Sequence, residues 1–167
     1  MNRLKGAAVV LFAVLLYGCI ADTMNQKVLM PDLQVGLQSV TDVIQSDDRA
    51  EVLFFLENTG EQFVRILPWQ TPLEGELTAD IFAITIGGEI LQYQGIMIKR
   101  AAPVESNYTT IAAGERREVV VNLSESYDMS VAGSYQVKLR TTGDETLLQI
   151  DGVDASIAGD AITIVRE

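Results

Sequence analysis

The sequence predicts an all-β protein, an Ig-like antiparallel β-sandwich of about eight strands with at most one short helical turn. Three observations predict it. Short runs rich in Val, Ile, Leu and Phe recur along the chain, several with apolar and polar residues alternating. Gly, Asn, Asp and Pro break these runs at short intervals. No stretch sustains the 3.6-residue apolar period that a helix needs to bury one face.

The first element is not part of that domain. Arg3 and Lys5 precede the unbroken apolar run Ala7 to Leu16. A span that stays in a bilayer needs roughly 20 apolar residues, so a basic start with this shorter run reads as a signal segment over residues 1–18. Leu16-Tyr17-Gly18-Cys19 follows, and Cys19 is the only cysteine of the chain. Leu16 and Gly18 resemble the bacterial lipobox, in which the Cys is diacylated and becomes the new N-terminus. The resemblance implies a protein held in a bacterial cell envelope by lipid on Cys19. Ile20, where Asp is absent, resembles outer-membrane cargo if the envelope has two membranes. Residues 19–31 then form a tether, and the sandwich is expected over residues 32–167.

The strands are justified in turn. Leu33, Val35 and Leu37 alternate with polar or small residues. Val52 to Leu56 is apolar, and Glu57-Asn58-Thr59-Gly60 turns the chain. Phe63 to Leu67 ends at Pro68. Ile81 to Ile86 runs into Gly87-Gly88, a favoured two-residue hairpin turn, with Glu89 to Tyr93 as its return strand. Gly95 to Lys99 and Val119 to Leu123 are further strands, and Ser124 to Ser130 is the one helical candidate. Tyr135, Val137 and Leu139 alternate with Gln136, Lys138 and Arg140. Leu147 to Ile150 and Ile162 to Val165 close the chain. Tyr127 and Tyr135 stand where a tyrosine corner would return a hydroxyl to the backbone.

Composition removes most catalytic chemistries. The 167 residues contain no His. That excludes Ser-His-Asp and Cys-His apparatus and an HExxH zinc site. One Cys makes no internal disulfide and no CxxC pair. The balance of 12 basic and 23 acidic side chains gives a net charge of −11, and loss of Arg3 and Lys5 takes it to −13. Nucleic acid is a poor partner for such a surface. The acids around Asp151, Asp154 and Asp160 lack a calcium-loop pattern and read as solvated turns. No catalytic, metal or cofactor residue is assigned.

Two segments stand apart. Leu67-Pro68-Trp69-Gln70-Thr71-Pro72-Leu73-Glu74-Gly75 holds the only Trp and two of the four prolines. Proline stiffens it into a non-helical shape. Trp69, with Thr71 and Glu74 beside it, is either an exposed aromatic anchor for a partner or a plug at one end of the sandwich. Lys99-Arg100 either meets an acidic partner or pairs locally with Glu74, Glu76 or Glu105.

These stretches carry a resemblance when read in order. They are Val52 to Asn58, Leu67 to Gly75, Tyr93 to Arg100, Tyr108 with Ile111 to Glu115, and Leu123 to Ser130 with Gly133-Ser134-Tyr135. Together they resemble the β-sandwich region that precedes the catalytic domain in deuterolysin-like, peptidyl-Lys metalloendopeptidases. Such enzymes need HExxH on a helical domain. This chain has no His and leaves no room for that domain. The resemblance therefore implies the accessory sandwich without the peptidase. It implies a protein-binding role, as inhibitor or chaperone of such a protease. A general module for a peptide, glycan or other envelope component is the alternative.

Overall fold

The computed structural model describes residues 33–46, 48–140, 148–150, 153–155 and 160–167. Residues 1–32, with the signal segment, Cys19 and the tether, lie outside the described residues, as do Asp151 and Gly152.

The chain forms the predicted all-β sandwich. Its strands are β1 (Leu33–Ser39), β2 (Val43–Ile44), β3 (Glu51–Asn58), β4 (Val64–Leu67), β5 (Phe82–Ile86), β6 (Glu89–Ile90), β7 (Thr109–Ile111), β8 (Arg116–Asn122), β9 (Gly133–Leu139), β10 (Leu148–Ile150), β11 (Val153–Ala155) and β12 (Ile162–Arg166). They lie in three sheets, ordered β1-β3-β8, β11-β10-β4-β7 and β2-β12-β9-β5-β6. Pairing is antiparallel except between β2 and β12, which run parallel. The extra strands β2, β7 and β11 are too short to show a period, so alternation could not announce them.

The core follows from the alternation. In β3, Val52, Phe54 and Leu56 point inward, and in β9 Tyr135, Val137 and Leu139 do so. They meet Ile66 of β4, Phe82 and Ile84 of β5 and Ile164 of β12 in one continuous apolar cluster. Burial of this cluster drives the fold, at about 1.5–3 kcal/mol for each large apolar side chain. Gly87 and Gly88 both have positive φ, 59° and 88°, as the hairpin turn between β5 and β6 requires. Tyr135 donates its hydroxyl to the Val131 carbonyl at 2.6 Å, the predicted return to the backbone. Tyr127 instead donates to Asp80 Oδ1 at 2.8 Å and accepts the Phe82 N–H at 3.3 Å.

Four expectations are corrected. Gly95 to Lys99 is not a strand, and the return strand of the hairpin stops at Ile90. Tyr93 makes a single bridge to Tyr127, and the Gln94 N–H bonds the Ser126 carbonyl. Gly95 then sits so close that a Cβ there would lie 2.5 Å from the Tyr93 hydroxyl. The Tyr93 hydroxyl reaches the Ile96 carbonyl at 2.7 Å. Single backbone bonds to Ser126 and Thr78 and the Tyr93 hydroxyl thus satisfy this stretch where a ladder was expected, and Ile96, Met97 and Ile98 are left exposed. The single helical turn becomes three 3-10 turns, at Pro72–Glu74, Glu105–Asn107 and Leu123–Glu125. The first of them overturns the non-helical reading of the Trp69 segment. Thr71 caps it and Pro72 starts it, which is where proline favours a helical turn.

Candidate functional site

The corner after β4 brings four of the five singled-out residues together. Thr71 donates its hydroxyl to the Pro68 carbonyl at 2.6 Å and accepts the Leu73 N–H at 3.2 Å. That closes the turn and buries Thr71 to 4% exposure, so its work is structural. Gln70 holds φ 59°, the one positive φ outside glycine among the described residues. Its N–H is fixed by Glu74 Oε2 at 2.8 Å. The same oxygen accepts the hydroxyl of buried Thr78 at 2.7 Å. Glu74 Oε1 takes Arg100 at 2.6 Å, with the Glu74 side chain only 12% exposed. The Arg100 guanidinium lies 5.1 Å above the Trp69 ring.

The local-pairing alternative for Arg100 is therefore the one realised, with Glu74 as its acid. Glu105 pairs with Arg65 instead. Lys99 is exposed, and among the described residues no acid stands within ion-pair distance of it. Trp69 is half-buried and outside the apolar core cluster. It is neither a plug nor an open platform, because a cation covers one ring face. Glu74→Ala is expected to release Arg100, Thr78 and Gln70 together. The loss is about 1–2 kcal/mol in denaturant unfolding, with Trp69 emission moving to longer wavelength. An unchanged emission maximum would contradict the tie between Glu74 and the Trp69 face.

Beside this corner runs a cleft of about 340 Å³. One wall is β8, through Val119, Val120 and Val121, and the other is the turn at Pro72 to Leu77 with Gly95 and Ile96. Arg49, Glu51, Glu76 and Glu125 also line it, three acids against one base. These residues come from four separated stretches, and no local pattern in the sequence marks them as neighbours. Among the described residues no three His, Cys, Asp or Glu side chains converge to hold a metal ion. The arrangement offers shape, backbone groups and negative charge, which are means of binding.

Comparison with known proteins gives this geometry a context. No protein family model matches the chain. Over 109 residues, 65% of its length, the chain is 37% identical to an extracellular protease of Aeromonas hydrophila. The chain is related to part of a protease. It spans 31% of the length of that relative. Two solved structures align at low scores. A CARDB domain of Pyrococcus furiosus gives a TM-score of 0.38 at 12% identity, covering 81% of this chain and 94% of that one. An alkylpurine DNA glycosylase of Pseudomonas fluorescens bound to abasic-site DNA gives 0.36 at 12% identity, covering 82% and 31%. Neither likeness carries weight for function.

Proposed function

We propose that this chain is a non-catalytic envelope lipoprotein whose β-sandwich binds a protein partner. That partner is a protease of the deuterolysin type, inhibited or assisted in folding by the sandwich. The observation that carries the reading is the 37% identity to part of an extracellular protease, in a chain with no His at all. In this reading the shared stretch keeps its affinity for a catalytic part that is now a separate molecule. The lipid on Cys19 holds the sandwich at the membrane, more than one acyl chain being enough for stable anchoring. The negative surface keeps nucleic acid and anionic lipid headgroups away.

The test uses the full chain in detergent, mixed with a purified deuterolysin-like protease. The expected result is a stoichiometric complex, with peptidase activity lowered or refolding yield raised by at least tenfold. No complex, or a complex with neither effect, would overturn the reading. In the producing bacterium Cys19→Ala is expected to move the protein from the membrane to the soluble fraction and abolish labelling by radioactive fatty acid. Continued labelling of that variant defeats the lipid-anchor part alone.

A further inference from the structure

We propose that the open edge of β8, together with the acidic cleft beside it, captures an extended peptide segment carrying Lys or Arg side chains. The segment would join the sheet as an added strand. This rests on the protein-binding reading above and names the surface and the chemistry of what it takes.

The direction of the backbone groups is the first support. In an antiparallel pair, residues alternately turn both backbone groups toward the neighbour strand and both away from it. Asn58 N–H donates to the Glu115 carbonyl at 2.9 Å, and Leu123 N–H to the Ala50 carbonyl at 2.8 Å. With Phe54 opposite Val119 and Val52 opposite Val121, this parity makes Val119 and Val121 face β3. Glu118, Val120 and Asn122 therefore turn their N–H and C=O groups outward. β8 is the last strand of its sheet. Among the described residues no backbone bonds are made on that outer side. A row of outward donors and acceptors is a template for one more strand.

The second support is the cleft itself. Val119, Val120, Val121 and Asn122 of this strand line it. Val120 and Ile96 line the cleft and are 53% and 57% exposed. They offer apolar contact to alternate side chains of the segment. Glu51, Glu76 and Glu125 outnumber Arg49 on the walls, and the whole chain carries a net charge of −11. The complementary occupant is basic, which also draws it in by electrostatic steering. Arg116 and Glu118 occupy the other end of the strand, where charged residues discourage pairing with a second β8 edge.

The experiment measures amide exchange in the full chain in detergent. The probe is a capped eight-residue peptide of alternating Lys and Val. Controls are the same peptide N-methylated at alternate residues and a Glu–Val counterpart. The expected result is at least tenfold slower exchange at Val120 and Asn122, with both controls binding at least tenfold more weakly. Val120→Pro removes one outward N–H and no bond to β3, and is expected to lose the peptide. Glu76→Lys with Glu125→Lys reverses two exposed charges, losing also the 2.9 Å bond from Asn122 Nδ2 to Glu125 Oε1, and is expected to weaken binding at least tenfold. Glu76→Lys alone keeps that bond and is expected to weaken binding in the same direction. Absent binding, binding without slowed Val120 and Asn122 amides, or equal binding of either control would overturn the proposal. Protease capture that survives Val120→Pro overturns this surface and leaves the protein-binding reading standing. Peptide capture in a chain that ignores the protease supports this surface and removes that reading.

Discussion

Asn58→Ala is expected to cost about 2–4 kcal/mol of stability, enough to unfold a large share of a marginal domain. Asn58 ends β3 and is fully buried. Its amide nitrogen donates to the carbonyls of Gln62, Ile111 and Ala112 at 2.7, 3.1 and 3.1 Å. Its carbonyl oxygen accepts the Gly60 N–H at 3.1 Å. One side chain thereby ties the turn after β3 to the end of β7 and the turn that follows it. Alanine takes the side-chain partner from the Gln62 and Ile111 carbonyls and the Gly60 N–H, while the Ala112 carbonyl keeps the Glu115 N–H. A buried group left unpaired costs more than a solvated hydrogen bond contributes. Asn58→Asp sharpens the test. The ionised carboxylate would face three carbonyl oxygens, so its folded-state pKa is raised above the unfolded value of about 3.9. A raised pKa gives stability that is present below the unfolded value and lost as pH rises. Asn58→Asp should therefore melt lower than Asn58→Ala at pH 7 and regain stability toward pH 4. Matching melting curves of Asn58→Ala and the parent protein would refute the hub role.

Tyr127→Ala is expected to be still more damaging, about 3–5 kcal/mol, because it empties a space at the centre of the packing. Tyr127 is 2% exposed. Its ring meets Phe82 and Tyr93 edge-on, with centroids 6.5 and 5.4 Å apart. Tyr127→Phe keeps the ring contacts and drops the bonds to Asp80 and the Phe82 N–H, for about 1–2 kcal/mol. Asp80 remains held by Arg140 at 2.8 Å, which softens that loss. The hydroxyl also gives a pH signature. Burial, and then the Asp80 carboxylate, push its pKa far above the ordinary tyrosine value. Burial raises Tyr93 and Tyr135 in the same direction. Their stabilisation is whole below the unfolded pKa of about 10 and declines as pH rises beyond it. The urea midpoint should fall steeply above pH 10, and Tyr127→Phe should make that fall shallower. A parent protein whose midpoint stays flat to pH 11 would count against the buried, protonated hydroxyl.

Much of the sandwich was legible in the sequence because alternation survives where one face of a strand is buried. β1, β3 and β9 are the clear cases. The Gly87-Gly88 turn was legible for the same kind of reason, since its positive φ values leave few other residues suitable. The segment after Tyr93 was not. Its apolar residues Ile96, Met97 and Ile98 look like a strand, yet Met97 is 77% exposed. Nothing local records that a Tyr93 hydroxyl and a Ser126 carbonyl will occupy the neighbouring backbone.

The candidate site divides the same way. Trp69, Glu74 and Arg100 could be chosen by residue type and by the stiffness of their segment. That Arg100 would cover Trp69, and that Glu74 would hold it there, depended on a chain reversal between residues 75 and 99.

By itself the sequence determined the strand-rich class, the inward residues of the long strands and the absence of histidine chemistry. Those properties belong to single residues or to neighbours along the chain. Only the tertiary structure decided which edge of which sheet stays open and which acids stand beside it. Register and strand order are set by packing between distant segments, and a cleft exists only once those segments have met.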